Sequence, residues 1–454
     1  CSALEKRTKM GKKVLPSTAN PELYTYVDSA LRGFFRSIAL SRQGQNVQDV
    51  LRILTLWFKY GSDPSIESTL QEGFSLLAVD TWLPVVPQII ARMEAPVRIR
   101  RLVTDLLSKI GKEHPQALVY PLTVMNKSNS QQKSKLSKQE GGLLGTFRVT
   151  VGDHKLLDQA TQLSTELIRV AISDYEMWAE ALDEASKACF TDDNPDQSVK
   201  ILQPLLDGLE RPANSIMEVS FRSLYGSMLK SAGSRCKAYT DTGSRLCLNQ
   251  AWDIFSKVYK SLNTQLDQMK ALDLALISPK LLGMRLLDLA MPGTYQAGRP
   301  VIQIEEFHPI LQVIPSKQRP RKLRIRGTDG VYYSFLLKGH EDLRQDERVM
   351  QLFGLVNTLL ATHSTANKHL SIKRYSVVPI STNSGLIGWV PHCDTINHLI
   401  HQHRSIEKKI DLKYEFNLLN ALSGNYEMLS LVQKIEVFKF ILSKTDGKDL
   451  NNIM

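Results

Sequence analysis

Neither G-x-G-x-x-G nor G-x-x-x-x-G-K-[ST] occurs anywhere in the 454 residues, so glycine-loop protein kinases and P-loop enzymes are poor matches. Paired cysteine is equally lacking. The five cysteines, Cys1, Cys189, Cys236, Cys247 and Cys393, are scattered and odd in number, and no C-x-x-C exists. That pattern fits reduced thiols of the cytosol or nucleus better than a secreted disulfide framework. No uninterrupted apolar run approaches the ~18 residues of a membrane helix. The best stretch, Phe74 to Ala91, is broken by Asp80, Pro84 and Pro87. No secretory leader opens the chain, whose first residue is Cys1, and a truncated N-terminus is expected.

What is present suffices for packed cores: 43% of residues are hydrophobic and only 23% charged, against wholesale disorder. The length predicts about two to four domains. A net charge of +11 favours anionic partners, whether phosphates, acidic lipid headgroups or nucleic acid, without choosing among them.

The first third reads as stacked helices. Val47, Val50, Leu51, Leu54 and Phe58 recur at helical spacing, while Ile53, Leu56 and Trp57 make the opposite face apolar too. A helix apolar on both faces is sandwiched between neighbours, as in an α-solenoid. Ile99, Leu102, Val103, Leu106 and Ile110 repeat the pattern, with Gly111 placed to stop that helix. From Asn126 to Glu140 polar residues mark a linker, and Gly141 to Gly152 forms an odd glycine-containing insert. Leu156 to Phe190 is predicted as one long helix. Three more, near Ser198–Leu209, Ile216–Ala232 and Leu246–Leu266, complete a four-helix bundle.

After Pro292-Gly293 the period becomes alternating. Lys322–Arg326 and Val331–Leu337 are predicted strands around the Thr328-Asp329-Gly330 turn. A helix from about Glu341 to His363 follows, then strands Tyr375–Ile380 and Leu386–Val390. The tail, Asp394 to Met454, is helical and charged. Hairpin, lysine-ending strand, acid-opening helix and two further strands make the order of a kinase small lobe. Lys338 would neutralise nucleotide phosphates, and Glu341, Asp342 and Asp346 are the carboxylates near enough to hold it. Alone, such a pair reads as a solvated ion pair; the ordered set of elements lifts it. Eight basic residues against three acidic ones between Arg299 and Lys338 read either as a solvated hairpin or as a positive field over phosphates. Trp389 could stack on adenine, with the Val390 backbone at the purine edge, although a strand-end tryptophan is commonly core. His392, Cys393, His398, His401 and His403 suggest zinc at first sight, but their spacing suits an exposed charged helix.

Lys338-Gly339-His340-Glu341-Asp342-Leu343-Arg344-Gln345-Asp346-Glu347-Arg348 and the run Asn383 to Asp394 closely resemble the target-of-rapamycin family of phosphoinositide-3-kinase-related protein kinases. Glu166 to Ala171, Glu176-Met177-Trp178 and Gln250-Ala251-Trp252-Asp253 are similar to that family's rapamycin-binding bundle. Gly33 to Ser37 and His114 to Leu118 are similar to its FAT region. The resemblance covers nearly the whole chain except about Gln131 to Lys155. It implies a mainly α fold with an α+β small lobe: the end of a FAT α-solenoid (1–126), a linker or atypical insert (127–155), a rapamycin-binding-type four-helix bundle (156–268), an ATP-binding small lobe (269–391), and the hinge with the start of the large lobe (392–454).

By the same resemblance, ATP is gripped by Ser316, Gln318, Leu336, Lys338, Glu341, Asp346, Tyr375, Gly388, Trp389, Val390 and Thr395, with Glu341 preferred over Asp346 as the lysine's partner. Leu182, Ser186, Phe190, Trp252, Asp253 and Tyr259 form a groove for recruited substrates and for immunophilin–rapamycin. Cys189 and Ser256 stand where the family has tyrosines, so the drug complex is expected to bind weakly. Protein substrates, subunits of the family's complexes and an acidic lipid surface are the implied partners, with no nucleic acid. The implied location is cytoplasmic, peripheral to vacuolar or lysosomal membranes, or nuclear. D-R-H-x-x-N and D-F-G are absent from the 454 residues, and His403-Arg404 is followed by Ser405, so no catalytic base or magnesium ligand is named. The chain is therefore expected to be a truncated, inactive piece of a serine/threonine protein kinase using ATP and Mg2+. A non-catalytic helical scaffold and a lipid kinase are the alternatives.

Overall fold

The computed structural model describes residues 21–41, 46–131, 154–363, 370–445 and 447–454. The chain divides into two units, Cys1–Trp389 and Val390–Met454.

The first unit opens with helices α1 (Pro21–Leu40), α2 (Val47–Tyr60), α3 (Pro64–Leu76), α4 (Val97–Glu113) and α5 (Pro115–Gln131). The doubly apolar α2 buries Val50, Ile53, Leu54 and Trp57 between its neighbours. Phe74 ties this solenoid together, its ring 5.9 Å from Phe35, 4.9 Å from Trp57 and 5.1 Å from Trp82. Edge-on aromatic pairs of this kind add about 0.5–1.5 kcal/mol beyond area burial. Gly111 does not stop α4. It is buried inside the helix, which runs on to Glu113 and ends where Pro115 starts the next. The polar stretch expected as linker from Asn126 starts as the last turns of α5. The insert Gly141–Gly152 lies outside the described residues.

The helix expected from Leu156 to Phe190 is two helices, α6 (His154–Ala171) and α7 (Asp174–Ser186), followed by a π turn at Lys187–Thr191. A capping box makes the break: Glu176 N–H donates to Ser173 Oγ at 3.4 Å, and Ser173 N–H donates to Glu176 Oε2 at 2.9 Å. The bundle is α7 with α8 (Pro195–Gly208), α9 (Ile216–Thr242) and α10 (Arg245–Gln268). Tyr175, Trp178, Leu182, Phe221, Leu229 and Phe255 fill its core. Gly243, at φ 70°, closes α9 in the left-handed conformation that admits glycine without strain.

Instead of joining the bundle core, α6 packs Leu163, Leu167 and Val170 against the sheet of the small lobe. That sheet comprises β1 (Ala271–Asp273), β2 (Ile304–Phe307), β3 (Ile310–Val313), β4 (Arg321–Gly327), β5 (Tyr332–Gly339), β6 (Val377–Pro379) and β7 (Ser384–Gly388). Its order is β1-β3-β4-β5-β7-β6, with β2 also on β4, and every pairing is antiparallel. Three-residue β1 was not foreseen. Strand alternation puts Leu323, Ile325, Phe335 and Leu337 on the α6 side. Helix α11 (Arg344–His363) packs Met350 and Phe353 with Leu343, Val377 and Ile387. It starts three residues later than expected, leaving Glu341 in the preceding turn.

The second unit holds α12 (Ile396–His403), α13 (Tyr414–Leu422), α14 (Leu431–Thr445) and α15 (Asp449–Ile453). Arg404 anchors it, meeting Glu415 at 2.5 Å and Asp449 at 2.8 Å. Among the described residues no single helix is long and apolar enough to cross a membrane.

Candidate nucleotide site and recruitment groove

Alternation along β5 leaves Leu336 and Lys338 on the face opposite α6. Their cross-strand partners are Ile387 and Gly385 of β7. Lys338 Nζ lies 2.6 Å from Glu341 Oε2, with the two side chains 25% and 37% exposed. Glu341 is held by its backbone, whose N–H donates to the Asn383 carbonyl at 3.0 Å. Asp346 has no ion-pair partner among the described residues, so Glu341 is the carboxylate that meets the lysine. Asp342 is taken by Arg344 at 2.7 Å, and that guanidinium lowers its carboxyl below the usual range.

Ser316 and Gln318 are exposed on the Ile314–Pro320 loop, which Ile314 N–H closes onto the Pro320 carbonyl at 3.0 Å. Trp389 follows β7, its N–H donating to the Ser334 carbonyl at 2.9 Å. The ammonium of Lys322 sits over its indole, 4.0 Å from the ring centroid. Trp389 is thus a half-exposed ring rather than core. Gly388 has a packing reason of its own: a Cβ there would lie 2.4 Å from Ser376 Oγ. Tyr375 is 38% exposed on the approach to β6.

In the second unit, the Val390 carbonyl accepts the Cys393 thiol at 2.9 Å. Thr395 caps α12, its hydroxyl accepting His398 N–H at 3.1 Å. Asp394 and His398 pair at 2.5 Å. Among the described residues no group of three His, Cys, Asp or Glu side chains is arranged to hold a metal ion.

On the bundle, Phe190 stands out from the π turn, 62% exposed, its ring 5.3 Å from that of Trp252. Ser186 and Tyr259 are half-buried and Asp253 is exposed, whereas Leu182 lies inside the bundle core. Cys189 is half-buried and burial pushes its thiol up; Ser256 is exposed.

Residues 166–264 match the FKBP12-rapamycin binding domain, and residues 332–452 match the phosphatidylinositol 3- and 4-kinase domain. The serine/threonine-protein kinase TOR of Arabidopsis thaliana is 48% identical over 439 residues, covering 94% of this chain and 18% of that protein. The serine/threonine-protein kinase tor1 of Schizosaccharomyces pombe is 45% identical over 432 residues, with the same shares of 94% and 18%. The chain belongs to the target-of-rapamycin kinase family. It spans less than a fifth of the length of the curated relatives it matches. The solved FAT and kinase domain of CtTel1 shares the fold, with a TM-score of 0.52 at 16% identity, over 92% of this chain and 24% of that one. A helical solenoid joined to a kinase small lobe is therefore the architecture of this target-of-rapamycin segment.

Sequence reasoning missed the ties between the target-of-rapamycin bundle and the nucleotide lobe. Arg321, fully buried on β4, bonds Glu176 of α7. Arg319 reaches Asp267 at the end of α10 at 3.2 Å. His340, at φ 59° in the turn after Lys338, meets Glu180 of α7 at 3.1 Å. Burial pushes the Glu180 carboxyl up, and His340 opposes it. Arg326 is likewise engaged by Glu305 at 3.3 Å. The basic run is therefore partly structural, and Lys338 belongs to the part left open. The only sequence signal was that run itself, which names no partners.

Proposed function

We propose that this segment supplies the ATP-gripping small lobe and substrate-recruiting bundle of a target-of-rapamycin serine/threonine protein kinase. The observation that carries the reading is Lys338, fixed by Glu341 yet open on the sheet face it shares with Leu336 and Ile387. An ammonium has three donors, and one carboxylate leaves capacity for a phosphate oxygen. Leu336 and Ile387 offer an apolar floor to a purine, and Trp389 a flat edge. ATP fits these residues, and when bound it supplies the phosphoryl group that passes to a Ser or Thr hydroxyl. Magnesium would be held chiefly by the D-F-G carboxylate, a motif absent from these 454 residues.

The remaining nucleotide contacts of the first unit are assigned to Ser316, Gln318, Asp346, Tyr375 and Gly388. Phe190, Trp252 and Tyr259 would receive protein substrates and, more weakly, immunophilin–rapamycin. The complex would work in the cytoplasm against vacuolar or lysosomal membranes, where the +11 charge favours acidic lipid.

Equilibrium dialysis of the 454-residue chain against radiolabelled ATP tests the reading. Saturable binding is expected, weakened at least tenfold by Lys338→Ala, with no label passed to protein because D-R-H-x-x-N and D-F-G are absent from this chain. Binding that ignores Lys338 would overturn the nucleotide assignment and favour a helical scaffold.

A further inference from the structure

Away from Lys338, a cavity of about 1010 Å³ lies between the solenoid and α11. Small-molecule sites occupy roughly 300–1,000 Å³, so there is room for a whole ligand. Arg344, Glu347 and Arg348 line its α11 side. Gln351, one turn on, joins the solenoid, donating to the Pro84 carbonyl at 2.8 Å and bonding Gln88. These four share one helix face by their spacing. A face turned to a neighbouring domain is ordinarily apolar. Here it is charged, while Leu83, Pro87 and Ile90 opposite are apolar.

The charges are not matched within the protein. Arg344 pairs with Asp342 at 2.7 Å, Asp80 lies 2.6 Å from the His114 ring nitrogen, and Glu94 is exposed to solvent. Arg348 and Arg374, which also line the cavity, form no hydrogen bond or ion pair among the described residues. Glu347 is the one acid coupled to Arg348, and burial pushes its carboxyl up. A carboxyl can shed its charge by taking a proton, whereas a guanidinium cannot lose one, so Arg348 and Arg374 are lasting cations that an anion could pair.

We propose that this cavity binds a small organic anion, a phosphate monoester or carboxylate on an apolar body, with its head on Arg348 and Arg374 and its body against Leu83, Pro87 and Ile90. Such a ligand would brace α11 against the solenoid, just after the turn that carries Glu341. That bracing consequence rests on the nucleotide reading; the binding does not.

The test titrates octyl phosphate into the 454-residue chain by calorimetry, beside n-octanol and inorganic phosphate. Saturable binding of octyl phosphate is expected, at least tenfold tighter than either control. Arg348→Met and Arg374→Gln should each weaken it at least tenfold, and Lys338→Ala should leave it unchanged. Arg374 is exposed, so its variant keeps the test valid if Arg348→Met fails to fold. Equal affinity in Arg374→Gln, equal binding of n-octanol, or loss confined to Lys338→Ala would each overturn the proposal. Phosphatidylcholine vesicles containing phosphatidic acid separate a lipid source from a soluble one. Vesicle capture that Arg374→Gln abolishes would move the arginines to a membrane surface and overturn the cavity assignment.

Discussion

Arg321–Glu176 and Lys338–Glu341 are both cation–carboxylate pairs on the small-lobe sheet, and their surroundings could hardly differ more. The first pair is 0% and 8% exposed and joins residues 145 apart in sequence. The second is 25% and 37% exposed and joins residues three apart in one turn. Burial strips both members of the first pair of water, so each depends on the other. Solvent screens the second, leaving its ammonium able to exchange a water for a ligand oxygen. Chemistry alone does not separate a strut from a binding group; exposure does.

Breaking the buried pair should have the largest effect. Arg321→Met strands Glu176 and should cost about 3–5 kcal/mol, read in urea unfolding of the first unit. Adding Glu176→Gln, which keeps the cap on Ser173, should recover most of that loss. A single-variant cost below about 1 kcal/mol would erase the contrast.

The open pair should respond the other way round. Lys338→Ala should change the same unfolding transition by less than about 1 kcal/mol. Nucleotide affinity should nevertheless fall at least tenfold, so equal damage to stability and binding would make Lys338 another strut.

The contrast extends to aromatic side chains. Trp252 is 6% exposed and flanked by Phe190, but Ser256, one helical turn on, offers no ring. Ser256→Tyr in the full chain should tighten immunophilin–rapamycin binding by about tenfold, one aromatic contact being worth roughly 1–3 kcal/mol. Nanomolar binding without the substitution would show that Ser256 and Cys189 do not limit the groove.

The smallest effect is expected at Trp389. Replacement by Leu removes a flat surface worth about 0.5–1.5 kcal/mol. ATP affinity should drop severalfold, less than for Lys338→Ala. An unchanged affinity would mean that the ring serves Lys322, 4.0 Å above it, and not a purine.

Much of this architecture was legible because it is local. Helical spacing marked α2 and α4, Gly330 marked the β4–β5 turn, and strand order marked the small lobe. Spacing alone left Glu341, Asp342 and Asp346 open as the lysine's partner; the family resemblance favoured Glu341, which is the one that meets it. The α6–α7 break was overlooked although Ser173-Asp174-Tyr175-Glu176 carries the S-x-x-E signature of a capping box, because apolar periodicity runs on past it. Glu176, Glu180 and Asp267 could not have been matched to Arg321, His340 and Arg319. Each looks like an ordinary helix-surface acid until folding brings the lobe against it. The cavity beside α11 was hidden for the same reason, its walls lying far apart in the chain.

The break at Ile172–Ser173 also decides where the molecule can be taken apart. The match to the FKBP12-rapamycin binding domain begins at residue 166, yet Leu167, Val170 and Ala171 lie in the small-lobe core, and Glu166 accepts the Ser278 hydroxyl at 2.6 Å. A piece excised at Glu166 would carry a strip of another domain's interior on its surface, a self-associating end. A piece beginning at Ser173 would leave that strip behind and keep its own helix cap. The physical module thus begins after Ile172, inside the boundary that similarity draws.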